Sequence, residues 1–202
     1  MRLLFPTIIH QVKVNNFKFI QDDLINFAYQ EREKDPIGVE KSNRGGWQSQ
    51  SNYNNHHNIL LSTLQQTIGP YFRNGVFNNT TQLVFDGIWI NINGKGDHNS
   101  SHNHPNCNLA GVMWIKASKE LNDTGKALSG DIEFLSPHNF TLAAELMAYD
   151  DEFCKKCASW PAYWMCPEEG MILIFPASVM HKVHTNESNQ DRISVSFNLH
   201  IR

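Results

Sequence analysis

Apolar and polar residues alternate without a break over residues 193–199, near the end of the chain. Successive side chains of a strand point to opposite faces, so this alternation predicts a half-buried strand. One face carries the apolar residues Ile193, Val195, Phe197 and Leu199. The other face carries the polar residues Arg192, Ser194, Ser196 and Asn198.

Four earlier segments have the pattern of short strands, with turn residues between them. They are Leu83–Asn93, Leu109–Ile115, Asp131–Leu135 and Met171–Phe175. No helical pattern separates them at the spacing that parallel strands need, so we predict an antiparallel sandwich or barrel. Residues 138–168 have weak periodicity, and we treat them as an insertion between strands.

Two helices are predicted before this region. Apolar residues at positions 20, 24, 25, 27 and 28 share one helix face, and Asp35-Pro36 ends that helix. A second helical pattern runs from about Asn55 to Phe72, and we expect Gly69-Pro70 to kink or end it. We expect both helices to pack on one face of the β structure.

The other N-terminal segments lack a helical pattern. Met1 to His10 has a short apolar patch that Pro6 interrupts, which predicts a strand rather than a signal peptide. Residues 37–55 are polar and Gly-rich and are predicted to form a long loop. We therefore expect one domain, in which residues 1–80 hold the N-terminal strand and helices and residues 81–202 hold the core.

Length and composition fit a globular protein. Of the 202 residues, 41% are hydrophobic and 18% are charged. The 17 basic and 20 acidic residues give a net charge of −3, which argues against nucleic-acid binding through bulk charge. The apolar stretch Met171–Pro176 is too short to cross a bilayer, so we expect no membrane span there. Because we also predict no signal peptide, we expect an intracellular protein.

The cysteines are Cys107, Cys154, Cys157 and Cys166. Cys154 and Cys157 form a C-x-x-C motif, which occurs in zinc sites and in redox dithiols. No second pair of this kind supplies further zinc ligands, so we expect thiols in a loop of a protein from a reducing compartment. A zinc site and a redox dithiol remain alternatives.

Histidines carry the strongest chemical signal. His102 and His104, in the segment Gly96–Pro105, stand two residues apart between two predicted strands. Side chains two residues apart on an extended backbone point to the same side, so both imidazoles can reach one metal ion. Imidazole is a ligand for iron, copper, nickel and zinc alike.

A second segment has matching features. The buried strand that starts at Gly170 reaches Pro176 and is followed by His181. Together the two segments resemble the paired signatures of cupins, although no acidic residue follows His104 closely and Ser178 stands where glycine is usual. The resemblance implies a mainly β protein with α-helices, in which a jelly-roll or cupin-like double-stranded β-helix barrel is flanked by two N-terminal helices.

Arg192 and Ser194 lie on the terminal strand, eleven and thirteen residues after His181. A guanidinium on the inner face of a small barrel needs an anion. It binds a carboxylate through two parallel hydrogen bonds, and a serine hydroxyl on the same face can add a third. A solvated Arg192 beside Asp191 is the alternative.

These features resemble the Fe(II)/2-oxoglutarate-dependent oxygenases, and within them a group found in marine bacteria and their phages. The matching stretches are Ser42–Trp47, Trp89–Asn93, Gly96–Pro105, Leu109–Trp114, Phe175–His181 and Asp191–Asn198. The resemblance implies a cytoplasmic enzyme of a bacterium or of a phage-infected host cell.

The resemblance also implies cofactors and residue roles. Fe(II) would be bound by His102 and His181, and the co-substrate 2-oxoglutarate by Arg192 with Ser194. With O2, 2-oxoglutarate would yield succinate and CO2 while an unidentified amino acid, peptide or metabolite is hydroxylated. His104 stands where the superfamily usually has Asp or Glu.

The third metal ligand therefore has several candidates. A site of His102, His104 and His181 is our assignment. Two histidines with water, or a site completed by Asp97 or Asp131, remain open.

Two other functions also remain open. One is a cupin-type metalloprotein that does not use 2-oxoglutarate, such as a three-His metal enzyme, and the other is a cupin that only binds a small ligand. Arg192 and Ser194 favour the oxygenase, whereas three histidines without a carboxylate favour the metalloprotein. The sequence leaves a homodimer open.

Overall fold

The computed structural model describes residues 6–51, 58–137, 148–157 and 160–202. The strands are β1 His10–Lys13, β2 Asn43–Arg44, β3 Trp47–Gln48, β4 Leu83–Asn93, β5 His98–His102, β6 Leu109–Lys116, β7 Ile132–Leu135, β8 Ala162–Met165, β9 Met171–Pro176, β10 His181–Val183 and β11 Arg192–Ile201. The helices are α1 Lys18–Lys34, α2 Asn58–Arg73 and α3 Asp151–Cys157.

Two antiparallel sheets form the mainly β double-stranded β-helix that the sequence predicted. The larger sheet has the strand order β1-β9-β6-β11-β4-β3, and the smaller has the order β2-β5-β10-β7-β8. Over the described ranges the two sheets share no strand, so they do not close into the expected barrel. The chain crosses between them at Gly45 and Gly46, where positive φ angles favour glycine.

Helices α1 and α2 cover the outer face of the larger sheet, as predicted. Helix α2 contributes a row of fully buried side chains four residues apart: Leu60, Leu64, Ile68 and Phe72. These side chains share one core cluster with Leu24 and Phe27 of α1. Each fully buried side chain of this kind is worth about 1.5–3 kcal/mol relative to an exposed one, so the row fixes the helix on the sheet.

Strand β11 has the alternation that the sequence predicted, and it separates the core from the cavity. Its apolar side chains lie in the cluster beneath the helices: Ile193, Val195, Phe197 and Leu199. Its polar side chains line the space between the sheets: Arg192, Ser194, Ser196 and Asn198. A register slip of one residue would exchange the two sets, so the pairing of β11 with β4 and β6 determines which chemistry faces inward.

Helix α2 ends at Arg73, one residue beyond the predicted end at Phe72, and Gly69-Pro70 does not end it, because the buried Phe72 packs its last turn against the core. One N-terminal boundary differs from the prediction. The first strand begins only at His10, where it starts to pair with β9. The predicted start of the second helix at Asn55, like Met1 to Phe5, lies outside the described residues.

Two stretches without periodicity contain regular structure. Residues 37–55 include β2 and β3, and there the Trp47 indole N–H donates to the Asp35 carbonyl at 2.7 Å. Residues 138–168 include α3 and β8, and β8 pairs with β7 as the edge strand of the smaller sheet. Strands of two residues, such as β2 and β3, are too short to show a period in the sequence.

The Cys154 and Cys157 motif lies on helix α3, so the prediction of a loop for this motif is wrong. The Cys154 side chain is buried.

Among the described helices, none combines the length and the apolar character that a membrane span requires.

Replacing Gly111 tests the close packing of β6 against β11. A Cβ at Gly111 would collide with the fully buried ring of Phe197. We expect Gly111→Ala to lower the free energy of unfolding by about 1–3 kcal/mol in urea denaturation. Gly69→Ala is the matched control, because its Cβ meets only the flexible end of Arg73 and alanine favours a helix interior by about 0.5–1 kcal/mol. An equal loss in both variants would contradict this packing.

Candidate metal and anion site

A cavity of about 330 Å³ lies between the two sheets. Its walls change character from one part to another. The side chains of Asn91, Arg192 and Ser194 are buried, whereas Trp89 is half-buried and Asn103 is exposed. The cavity therefore has a closed polar part and a part that opens to solvent.

Three histidines meet at the wall of this cavity. His102 ends β5 and pairs directly with His181, which begins β10. His104 follows β5 by two residues, and its backbone N–H donates to the Ala177 carbonyl at 2.9 Å. The ring centroids of His102 and His181 are 4.3 Å apart, and each is 5.3 Å from that of His104. One ring nitrogen of each lies within 4.8 Å of the others, so the three residues converge as the sequence predicted.

Hydrogen bonds orient all three imidazoles in the same way. In each ring Nδ1 faces an oxygen that can only accept, so Nδ1 carries the proton of the neutral ring. Nδ1 of His102 lies 2.7 Å from the carbonyl oxygen of Ser100, and Nδ1 of His181 lies 3.0 Å from the carbonyl oxygen of Val179. Nδ1 of His104 lies 2.8 Å from Oδ1 of Asn198. The Nε2 lone pairs are therefore all available to a metal ion.

Burial keeps these rings neutral. It lowers the pKa of His104 to about 4 and the pKa of His181 to about 3, and in both cases the nearby His102 acts in the same direction. Burial also lowers the pKa of His102, although the hydrogen bond to a backbone carbonyl opposes it. The rings of Phe134 and Phe175 pack against His181 at centroid distances of 6.1 and 4.8 Å. Neutral imidazole is the form that binds a metal ion.

Arg192 lies at the closed part of the cavity and is only 2% exposed. Its Nη1 donates to the carbonyls of Ser129 and Gly130 at 3.1 and 3.4 Å, and its Nη2 donates to Oδ1 of Asn93 at 2.9 Å. These neutral partners hold the guanidinium in one orientation without cancelling its charge. The alternative of a solvated Arg192 beside Asp191 is therefore wrong.

The charge of Arg192 has no direct counter-ion within the described ranges. No carboxylate there hydrogen-bonds to the guanidinium, and its Nε has no partner. Burial lowers the pKa of Arg192 to about 10, and the nearby Asp97 acts in the opposite direction. The described lining of the cavity includes no Asp or Glu. Burying a cation costs several kcal/mol unless it is paired, so the site is suited to an anionic ligand.

The two acids considered in place of His104 lie elsewhere. Asp97 accepts the Gly94 backbone N–H at 2.7 Å through Oδ2, and Asp131 accepts the Ala127 backbone N–H at 3.1 Å through Oδ1. Neither joins the histidine cluster. The cluster found among the described residues offers nitrogen donors alone.

Sequence reasoning missed the residues that orient the site. Asn93 holds Arg192, and Asn198 holds His104. Asn198 was assigned to the polar face of β11 but given no role. On strand β4, which pairs with β11, the sequence signal was the pair Asn91 and Asn93. Two amides two residues apart on a strand share one face, so both could have been expected to face the cavity.

The donor set fits two chemical groups side by side. Three neutral imidazoles suit a divalent transition metal such as Fe(II) and leave further coordination positions for other ligands. Arg192, with the Ser194 hydroxyl two residues along the same face, suits a carboxylate. The cavity can therefore hold a metal ion together with a carboxylate-bearing molecule.

Comparisons with known proteins agree with this chemistry. Residues 87–198, more than half of the chain, match the model of a family described as "Putative 2OG-Fe(II) oxygenase". A sequence search of curated proteins finds no match to the chain.

Solved structures show the same fold at low sequence identity. HygX from Streptomyces hygroscopicus, solved with nickel and 2-oxoglutarate bound, is 9% identical with a TM-score of 0.59, over 96% of this chain and 83% of that one. A prolyl hydroxylase from Trichoplax adhaerens, in complex with a hypoxia inducible factor peptide fragment, is 8% identical with a TM-score of 0.63, over 95% and 83%.

A shorter match is an oxidoreductase of the 2OG-Fe(II) oxygenase family from Burkholderia pseudomallei. It is 14% identical with a TM-score of 0.49, over 70% of this chain. The chain spans 56% of the length of that protein.

The imidazole hydrogen bonds predict the protonation of the metal-free protein. Because His104 and His181 have pKa values of about 4 and 3, we expect both rings to remain neutral and protonated at Nδ1 at pH 5 in nitrogen-15 NMR spectra. The unfolded chain takes up protons near pH 6.5 and the folded rings do not, so the free energy of unfolding should fall as the pH drops from about 7 toward 4. Protonation of either ring near pH 6.5 would contradict this site.

Proposed function

This chain belongs to the 2OG-Fe(II) oxygenase family, whose members are oxidoreductases that use iron and 2-oxoglutarate, and from that premise we propose that it hydroxylates a C–H bond of a second substrate. When bound, Fe(II) supplies the oxidation chemistry, in which 2-oxoglutarate and O2 yield succinate and CO2. The second substrate is an amino acid, a peptide or another metabolite. The observation that carries this proposal is a three-imidazole cluster that shares one cavity with a buried, unpaired arginine.

His102, His104 and His181 are the proposed metal ligands. Their oriented Nε2 atoms support this assignment, because a ligand ring held through Nδ1 cannot turn away from the ion. By the resemblance to the superfamily, His104 would take the position at which Asp or Glu is usual. Since an imidazole is neutral where a carboxylate is negative, the site retains more positive charge for an anionic co-substrate.

Arg192 and Ser194 are the proposed ligands of the far carboxylate of 2-oxoglutarate. Arg192 has a free Nε beside an Nη2 whose orientation is fixed by Asn93, so the guanidinium can present two donors to one carboxylate. Ser194 stands two residues along β11 and faces the same cavity. The co-substrate would then extend from the closed part of the cavity toward the histidines.

The open part of the cavity is the proposed entry for the second substrate. The Trp89 ring stacks beside His104 with centroids 5.8 Å apart and an interplanar angle of 22°. An aromatic wall at this place limits the access of water to the metal ligands and offers apolar contact to the C–H bond that reacts.

A metalloprotein that does not use 2-oxoglutarate is the competing function, and the nitrogen-only donor set favours it. Anaerobic titration with Fe(II), with and without 2-oxoglutarate, separates the two. We expect a metal-to-ligand charge-transfer band that appears only when both are present, because the band requires chelation of iron by the keto acid. Iron binding without such a band would favour the competing function.

Substitutions at the histidine cluster test the metal assignment. We expect His181→Ala to abolish stoichiometric Fe(II) binding in anaerobic titration. Asn198→Ala should weaken it by about 10–100-fold, because it removes only the partner that orients His104. His200→Ala is the matched control, since His200 lies beside Asp86 and outside the cavity lining. Unchanged iron affinity in His181→Ala would refute the assignment.

Substitutions at Arg192 test the co-substrate assignment. Removing one partner of a buried charge pair costs about 3–5 kcal/mol, so Arg192→Ala should weaken 2-oxoglutarate binding by about a hundredfold or more. Fe(II) binding should survive, because no ligand atom is touched. Arg192→Lys should restore only part of the affinity, since an ammonium cannot form two parallel hydrogen bonds. Intact 2-oxoglutarate affinity in Arg192→Ala would instead support the metalloprotein.

A further inference from the structure

Lys41 is a second cation in the cavity, at its open part. It belongs to the same lining as the three histidines, and it is exposed. No acid of the described residues forms an ion pair with its ammonium group. The neighbouring acid Glu40 lies beside Arg44 instead, with its Oε1 3.9 Å from Nη1. Burial is the main cause of the low pKa of His104, and the charge of the nearby Lys41 contributes to it.

Hydrogen bonds fix the segment that carries Lys41. Its backbone N–H donates to Oδ1 of Asn43 at 2.8 Å. The carbonyl of Ser42 accepts the backbone N–H of Ser100 at 2.8 Å, and the Ser42 hydroxyl accepts from Nδ2 of Asn99 at 3.2 Å. Both partners of Ser42 belong to β5, the strand that carries the first histidine of the cluster. The backbone of Lys41 is therefore attached to the framework of the metal site, and only the end of its side chain has to be ordered by a ligand.

The charges of the loaded site do not cancel. The three neutral imidazoles add no charge to the proposed Fe(II) ion, and the two carboxylates of 2-oxoglutarate offset the charge of that ion. Arg192 and Lys41 then leave an excess of positive charge, because the described lining holds neither Asp nor Glu. Since a cleft lined by one sign of charge attracts the opposite sign, this excess favours an anionic second substrate.

The size of the cavity limits that second substrate. At about 330 Å³ the cavity lies near the lower end of the range for ligand sites, about 300–1,000 Å³, and 2-oxoglutarate occupies part of it. The remaining space suits a small molecule. Asn103 and Asn106 are exposed amides of the same lining, and each can donate further hydrogen bonds to a carboxylate.

We propose that Lys41 is a specificity residue for the second substrate, and that this substrate is a free amino acid or another small carboxylic acid. This inference rests on the proposed function. The carboxylate of the substrate pairs with the Lys41 ammonium at the open part of the cavity, while the rest of the molecule lies along Trp89 toward the histidines. A peptide segment without acidic side chains offers no such anion.

The test measures binding by saturation-transfer NMR on the protein loaded with Zn(II) and saturating 2-oxoglutarate, so it does not depend on turnover. The probes are the common amino acids, a set of small monocarboxylic acids and the carboxamide of each. We expect at least one acid to bind. Its carboxamide should bind about fivefold more weakly or worse, which is the upper value for an exposed ion pair.

Variants at position 41 relate this binding to the lysine. Lys41→Met should weaken binding of the acid by about fivefold and leave binding of its carboxamide unchanged. Lys41→Arg should retain most of the affinity, because the cation is kept. Lys95→Met is the matched control, since Lys95 is an exposed lysine beside Asn189 and outside the described cavity lining. It should leave the affinity for the acid unchanged.

Several outcomes would overturn the inference. They are equal binding of an acid and its carboxamide, equal effects of Lys41→Met and Lys95→Met, and a panel in which no acid binds. The charge-transfer band of Fe(II) with 2-oxoglutarate decides the proposed function separately. If the wild-type protein shows the band and no acid binds, the inference alone fails. If the band is missing, the proposed function fails and the inference with it.

Discussion

The buried positive charge of Arg192 is the constraint on which the rest of the cavity depends. It lies between two sheets, held by two carbonyl oxygens and the Asn93 amide rather than by an acid. Such an arrangement gives the guanidinium a fixed direction and leaves its charge uncompensated. A single inward carboxylate would stabilise the empty protein and remove its affinity for an anion. The packing of the helices and sheets around Arg192 offsets the free-energy cost of burying this unpaired charge.

The three histidines at the cavity wall also lack negative charge and are also held in fixed orientations. Its rings are neutral because they are buried, and they are aligned because each Nδ1 is held by an oxygen. No ring supplies a negative charge. A divalent ion bound there and the guanidinium would both be offset by a ligand with two carboxylates, which is the chemistry of 2-oxoglutarate. Metal and co-substrate binding should therefore reinforce each other.

The sequence predicted those parts that have a period or a spacing. The two-residue period of β11 identified the inward face, and the spacing of His102 and His104 identified two of the three histidines in the cluster. The sequence did not predict strands β2 and β3, because two residues cannot show alternation. The sequence also did not predict the orienting role of Asn198. That role depends on its contact with His104, which lies 94 residues earlier in the chain, and no local pattern encodes such a contact.

The central claim is that the three histidines and Arg192 hold one metal ion and one dicarboxylate in a single cavity. Crystals grown with Mn(II) and 2-oxoglutarate test it most directly, because anomalous scattering locates the ion independently of the protein. The account predicts one ion bound by Nε2 of His102, His104 and His181, with the far carboxylate of the ligand on Arg192. An ion bound through Asp97 or Asp131, or a ligand that leaves Arg192 without an anion, would contradict it.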